Sequence, residues 1–273
     1  MANRRPVMST NKNLLVSAAL LLIVFATACK PFGKANSNKA SETASSAVKP
    51  NADGSIPSGT GVEKEKPAPG KGNVQGRVLY NGQPAKEIEV KLCETFNQYF
   101  GGCGGETFVT KTDAAGEYLI RNVPPRIYEG LIAKVFDSNF YVFATSGIVS
   151  SAKYKIDPDQ TYFAPDTNLF KSDLKLLNPK AGAKLDANNI EVKWEPYADA
   201  AYYKLSIYGD ASSGAQTTYD FIGKRVDGSS YVLDKPLTPG SYSCQVTAYN
   251  SNDIKLAESS SDIKFTVKGD GGK

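Results

Sequence analysis

The chain has 273 residues, 41% of them hydrophobic and 22% charged, with 32 Lys and Arg against 28 Asp and Glu and no histidine. The first 28 residues hold three of the basic residues and none of the acidic ones, so the remainder is nearly neutral, 29 against 28, and lacks an electrostatic footprint for nucleic acid. Without an imidazole, triads and dyads that need a histidine base are excluded, as are metal sites with histidine ligands.

Arg4, Arg5 and Lys12 form a positive N-terminal region, Leu14 to Phe25 is almost wholly apolar, and Ala26, Thr27 and Ala28 are small residues directly before Cys29. The run resembles a bacterial lipoprotein signal, with Ala26 standing where the family usually has Leu. An uncleaved transmembrane helix is the alternative, but the apolar stretch is about 15 residues long against the roughly 20 that span a bilayer. A twin-arginine signal has only the Arg4–Arg5 pair in its favour, and Lys12 suits the general secretory route better. The resemblance implies that residues 1–28 are a removed signal peptide. It also implies a diacylglycerol on the Cys29 thiol and a fatty acyl group such as palmitate on its amine, each buried CH₂ adding about 0.8 kcal/mol of membrane affinity. Lys30 replaces the aspartate that commonly retains lipoproteins at an inner membrane, so the expected location is the outer membrane.

Residues 29–72 are rich in Ser, Ala, Asn, Lys, Gly and Pro, with Phe32, Val48, Ile56 and Val62 as their large apolar residues. Such a composition buries too little apolar surface to offset its conformational entropy, and a disordered tether is expected. Its mean span as a coil is about 35 Å and its extended limit about 140 Å. The piece from Lys64 to Pro69 is stiffer and reads as a last spacer.

From Asn73 the apolar residues alternate with period two, the pattern of half-buried strands. Val74, Gly76, Val78 and Tyr80 share a face, Asn81 and Gly82 supply a tight turn, and Ile88, Val90 and Leu92 form the inward face of a second strand. Further strands are expected at Phe108–Thr112, Glu117–Arg121, Leu131–Phe136, Phe140–Ala144 and Leu169–Leu176. No stretch carries a helical stripe, so the fold class is all-β, two consecutive β-sandwich domains at residues 73–176 and 177–268 with a disordered tail at 269–273. The stretch from Gly76 through Pro84, then Thr112, Asp113, Ala114, Ala115, Gly116, Glu117 and Tyr118, then Asn122 to Pro125, resembles a carboxypeptidase regulatory-like domain of the transthyretin-like type. Arg126 stands where that family usually has Gly, so the bend before Tyr128 is made differently. The resemblance implies a non-catalytic accessory fold, since the zinc chemistry of carboxypeptidases belongs to a different domain.

Cys93 and Cys103 flank a loop that holds Tyr99 and Phe100. In an exported chain a disulfide is the default for such a pair. Closing about 11 residues stabilises by roughly 3 kcal/mol in the chain-entropy picture. A zinc site is the rival, but two cysteines and no histidine fall short of four ligands. Tyr99 and Phe100 are candidate ligand contacts, to stack on a sugar or insert into a partner; folding back onto the sandwich is the other reading. Asp157, Asp159 and Asp166 share one polar connection but lack the spacing and glycine of an EF-hand, and read as turn residues.

In the second unit Ile190, Val192 and Trp194 alternate, as do Ala201, Tyr203, Leu205 and Ile207, and Leu237 to Tyr242 leads into Cys244, Val246 and Ala248. This is similar to a fibronectin type III domain, and the resemblance implies that Trp194 is the core tryptophan and Tyr242 a tyrosine corner whose hydroxyl bonds backbone upstream. Cys244 points inward, a buried free thiol acting as a small hydrophobe. Tyr202 and Tyr208 lie on the outward face of their strand and form a candidate aromatic platform for carbohydrate, or else ordinary cross-strand tyrosines. No phosphate-cradling loop is present, and neither a cofactor nor a metal is expected. The sequence therefore reads as a non-enzymatic lipoprotein, bound to a membrane through Cys29, whose modules engage an envelope protein in adhesion or scaffolding, or alternatively a polysaccharide.

Overall fold

The computed structural model describes residues 50–97, 102–144, 152–259 and 263–269, and within them the chain is all-β apart from two 3-10 turns, Ala211–Ser213 and Tyr219–Phe221. The expected signal peptide, Cys29, the tether to residue 49, Tyr99, Phe100 and residues 270–273 lie outside the described residues.

The strands of the first sandwich are β1 (Gly72–Tyr80), β2 (Gln83–Pro84), β3 (Glu89–Asn97), β4 (Gly102–Lys111), β5 (Glu117–Val123), β6 (Ile127–Tyr128), β7 (Gly130–Lys134), β8 (Tyr141–Phe143), β9 (Tyr154–Lys155), β10 (Thr161–Phe163) and β11 (Thr167–Leu169). β1 is the spine of one sheet. It pairs antiparallel with β5 and β2 on one side, and in parallel with β10 and then β11 on the other. The facing sheet runs β4-β3-β7-β8, and β6 with β9 closes one end. Val74 and Val78 of β1 meet Leu92 and Leu131 in a core without solvent exposure. Gly76 between them is required, because the Tyr118 ring crosses it and a Cβ there would sit 2.5 Å from the phenol oxygen.

The second sandwich contains β12 (Lys171–Leu174), β13 (Leu176–Asn178), β14 (Ala183–Leu185), β15 (Glu191–Trp194), β16 (Tyr202–Gly209), β17 (Lys224–Val226), β18 (Ser230–Val232), β19 (Gly240–Tyr249), β20 (Lys255–Ser259) and β21 (Lys264–Val267). The sheet β13-β15-β18 faces a larger one built along β12-β20-β19-β16-β17 with β21 and β14 attached. Trp194, Phe221, Tyr242 and Phe265 fill the space between them. The Tyr242 hydroxyl donates to Thr238 O at 2.9 Å, which pins the crossing between the sheets.

Two sequence expectations change. The run Leu169–Leu176 is three short strands, because the chain passes there from one core to the other: Leu169 packs in the first and Leu174 in the second. The changeover therefore falls at residues 170–173, before the 176/177 boundary, since alternating apolar residues look alike whichever core receives them. Residues 50–71, expected within the disordered tether, instead form a strap across the first sandwich. Ile56 is 4% exposed and part of the core, and Tyr162 Oη donates to its carbonyl. Gln75 brackets the strap, accepting from Lys64 N and donating to Val62 O, both at 3.0 Å. Asn73 donates to Glu65 O, and Asn122 accepts from Ala68 N. Composition counts apolar burial and misses polar partners supplied by distant residues.

The sandwiches meet at the end of β1. Asn81 and Gly82 both have positive φ, 51° and 73°, as in the type I′ form of a two-residue hairpin turn. Asn81 then donates to Asp199 at 3.0 Å and accepts from Asn250 at 2.7 Å. The hydroxyls of Tyr80 and Tyr197 are 3.4 Å apart, and the Lys171 ammonium sits over the rings of Tyr80 and Phe136.

The strap is also clasped by Lys64, whose ammonium lies 2.8 Å from Asp113 and 2.7 Å from Glu117. The hydrogen bond from Lys64 holds the Asp113 carboxyl below its ordinary value, and the same bond raises Lys64 above its own. A depressed aspartate contributes above its unfolded value, near 4, and the contribution is lost as pH falls through the lower folded value. A raised lysine contributes below its ordinary value and fails as pH rises through the raised one. Amide exchange at Lys64, corrected for intrinsic rate, is expected to accelerate below about pH 4, while amides of the β1–β5 ladder keep their protection; equal acceleration in both would refute a local clasp.

Candidate binding surface

The acidic residues of the 157–166 connection are not gathered into a site. Asp157 pairs with Lys155, Asp159 accepts from Gly70 N, and Asp166 pairs with Arg77. Among the described residues no group of three or more Cys, Asp or Glu is placed to hold a metal ion.

Cys93 and Cys103 are joined as a disulfide, with Cα atoms 5.3 Å apart. It braces the β3–β4 hairpin below the segment that contains Tyr99 and Phe100. Arg126 clamps that hairpin: its guanidinium reaches Glu94 at 3.1 Å and also pairs with Glu106. It lies over the Tyr128 ring and donates to the Tyr128 hydroxyl at 3.1 Å. Tyr128 in turn donates to Pro124 O at 3.0 Å, the same four-residue return that Tyr242 makes to Thr238. The first sandwich thus has its own tyrosine corner. Its signal in the sequence was the Pro124-to-Tyr128 spacing, which matches Thr238-to-Tyr242.

Tyr202 and Tyr208 do not form a shared platform. Tyr202 is 4% exposed, stacked on Tyr249 at 5.2 Å and 6°, with the Arg225 guanidinium 3.8 Å from its ring centroid. Its hydroxyl donates to Asp253 at 2.7 Å, and burial pushes its phenol up to about 12. Both ring faces are occupied. Alternation assigned the correct side of the sheet, but Arg225 comes from β17 and Tyr249 from β19, neighbours that alternation within β16 does not reveal. Tyr208, six residues further along, stands about 20 Å away at the strand rise and is 43% exposed.

Sequence reasoning missed what lies beside Tyr208. The connection from β16 to β17 returns along this edge, with Gly223 N donating to Ser206 Oγ at 3.0 Å. It carries Tyr219, 86% exposed, and the half-open Ile222. A 3-10 turn inside a polar loop has no periodic signature, so only the buried Phe221 next to Tyr219 hints at order there. Cys244 faces the core, and burial pushes its thiol up to about 12, which leaves it inert.

No family model and no curated protein matches the chain. Among solved structures it is similar to a putative carbohydrate binding protein from Bacteroides uniformis, at 12% identity over 70% of this chain and 95% of that one, TM-score 0.27. It is also similar to fibronectin(III)-like modules of Clostridium thermocellum CbhA, at 14% identity over 71% and 90%, TM-score 0.26. The FN1–FN3 domains of chicken CNTN1 match at 14% over 79% and 69%, TM-score 0.26. Scores of this size carry neither a ligand nor a role across to this chain.

The two tyrosines are expected to separate cleanly on truncation. Tyr202→Ala removes a fully packed ring and is expected to cost about 3 kcal/mol in urea unfolding, whereas Tyr208→Ala is expected to stay within about 0.5 kcal/mol. Comparable losses for both would mean that Tyr208 is packed as well.

Proposed function

We propose that the chain is a non-catalytic lipoprotein, anchored by lipid on Cys29 in the outer membrane, that presents a transthyretin-like and a fibronectin type III-like sandwich as one unit for binding an envelope protein. The observation that carries this reading is the junction. The two cores are joined without a linker: Asn81 and Tyr80 of the first sandwich meet Asn250, Asp199 and Tyr197 of the second, and Lys171 of the second lies over the Tyr80 and Phe136 rings of the first. An enzyme needs convergent reactive groups; a spacer or scaffold needs modules held at a set angle, and the junction is suited to that. A polysaccharide partner remains the second reading, favoured by the open rings of Tyr208 and Tyr219 instead of by the Tyr202–Tyr208 pair.

Metabolic labelling with an alkynyl fatty acid is expected to mark the wild-type chain in the membrane fraction, and Cys29→Ser is expected to lose both the label and the membrane. Retention of either refutes the anchor. The soluble Cys29→Ser protein then serves in two binding assays. Saturable capture of one envelope protein supports the scaffold reading, whereas glycan retention abolished by Tyr208→Ala with Tyr219→Ala moves the protein to the carbohydrate-binding class.

Asn81→Gly keeps the positive φ of the turn and deletes the side chain that bridges the sandwiches. Small-angle scattering is expected to show a broader distribution of inter-sandwich distances in this variant, with the unfolding of each core little changed. An unaltered distribution would show that the ring contacts alone hold the angle.

A further inference from the structure

Asn81 combines a reactive sequence with a structural role. It is the one asparagine of the chain followed by glycine; each of the others precedes a residue with a side chain. It also holds the junction: its Nδ2 donates to Asp199 Oδ2 at 3.0 Å, and its Oδ1 accepts from Asn250 Nδ2 at 2.7 Å. The side-chain amide of an asparagine is a weak electrophile at Cγ, and the main-chain nitrogen of the next residue is the nucleophile nearest to it along the chain. Glycine leaves that nitrogen uncrowded. Gly82 is exposed, and a Cβ added to it would have only Ile254 Cδ1 within reach, at 3.7 Å. The hairpin pairs Leu79 with Pro84 and Tyr80 with Gln83, which leaves both turn residues outside the ladder. The closed junction nevertheless opposes the reaction. Ring closure requires the Gly82 nitrogen to swing round beside Asn81 Cβ, whereas a type I′ turn holds ψ of its first central residue near about 30°, which puts that nitrogen nearly opposite Cβ. Asp199 and Asn250 meanwhile hold both ends of the amide, so only the loss of their hydrogen bonds frees the side chain and the turn together.

We propose that Asn81–Gly82 is a self-modification site, protected while the junction is closed and exposed when it opens. On opening, the Gly82 nitrogen gives up its proton and bonds to Asn81 Cγ. The bond from Cγ to Nδ2 breaks, and that nitrogen leaves with the proton as ammonia. A five-membered succinimide results, and one water molecule then opens it. Addition of water at Cγ cleaves the new bond to the Gly82 nitrogen and leaves aspartate. Addition at the main-chain carbonyl cleaves the original peptide bond, so the chain continues through Cγ as isoaspartate with one extra methylene. Neither product restores the junction. In aspartate a carboxylate oxygen replaces the amide donor that faced Asp199, and two like charges meet where a hydrogen bond stood. In isoaspartate the added methylene also takes Gln83 out of register with Tyr80. The inference rests on the proposed role of the junction in holding the sandwiches at a set angle: modification makes the loosening of that angle permanent.

The test ages the full chain at mildly alkaline pH and scores peptides spanning residue 81 for aspartate and isoaspartate by mass spectrometry. Asp199→Gly suits the positive φ of residue 199, 62°, and deletes the acceptor that holds the Asn81 amide. Modification at residue 81 is expected to accumulate severalfold faster in this variant than in the wild type, with Asn51 on the strap unchanged between the two. Equal rates at residue 81, or no modification in either chain, overturn the proposal, and so does matching acceleration at Asn51, which reports a general loosening. Asn81→Asp supplies a second measurement. Small-angle scattering is expected to show inter-sandwich distances broader than in the wild type and at least as broad as in Asn81→Gly; a wild-type distribution would show that the modified junction still closes. Faster modification in Asp199→Gly beside an unaltered distribution in Asn81→Gly refutes the angle reading and supports the protected site.

Discussion

The geometry of the molecule depends on one short turn. β1 folds back on β2 in two residues that both adopt positive φ, as a type I′ turn does, and Asn81–Gly82 is a pair that does so at low cost. The turn brings the Asn81 amide between Asp199 and Asn250. One side chain thus satisfies a backbone requirement in the first sandwich and supplies the polar bridge to the second. Hydrogen bonds of this kind are worth only about 1 kcal/mol between neutral amides and about 1.5 to 3 to a carboxylate, but the bridge is flanked by Tyr80, Tyr197 and the Lys171 ammonium over two rings. Several small contributions at one place set an angle that a flexible linker would leave open.

The strap applies the same principle to a segment with almost nothing to bury. Ile56 is its anchor in the core, and the rest is held because Gln75, Asn73 and Asn122 present amides at the spacing of an extended backbone. Backbone groups that would otherwise stay hydrated find protein partners, and the outer face of the β5-β1-β10 sheet is covered. The ion pairs along it are solvent-exposed, and such pairs contribute little individually. The strap is therefore best understood as a backbone clip with one apolar peg.

Tyrosine serves three different roles here, and residue type alone does not separate them. Tyr128 and Tyr242 close corners by bonding a carbonyl four residues upstream, Tyr202 is a rung between Arg225 and Tyr249, and Tyr208 and Tyr219 face solvent. Only the corners had a local spacing that could be read. The expected Tyr202–Tyr208 platform failed because two neighbouring strands close over one ring and leave the other open. Arg126 shows the converse: a charged residue in the bend before Tyr128 clamps the disulfide hairpin through Glu94 and Glu106.

The sequence by itself determined what depends on neighbours along the chain. Period-two burial gave strands and their inward faces, Asn81–Gly82 gave the hairpin, the absence of histidine removed whole classes of catalysis, and two cysteines with nine residues between them sufficed for the bridge. Tertiary structure alone decided what depends on residues far apart in the chain. Which core receives Leu169 and which Leu174, that residues 50–71 lie on the sandwich, and that Tyr202 is covered while Tyr219 is open are settled by partners between about 20 and 100 residues away. Local patterns record the preference of each segment for a strand and a face, but they contain no information about which distant groups will arrive to fill, cover or bridge it.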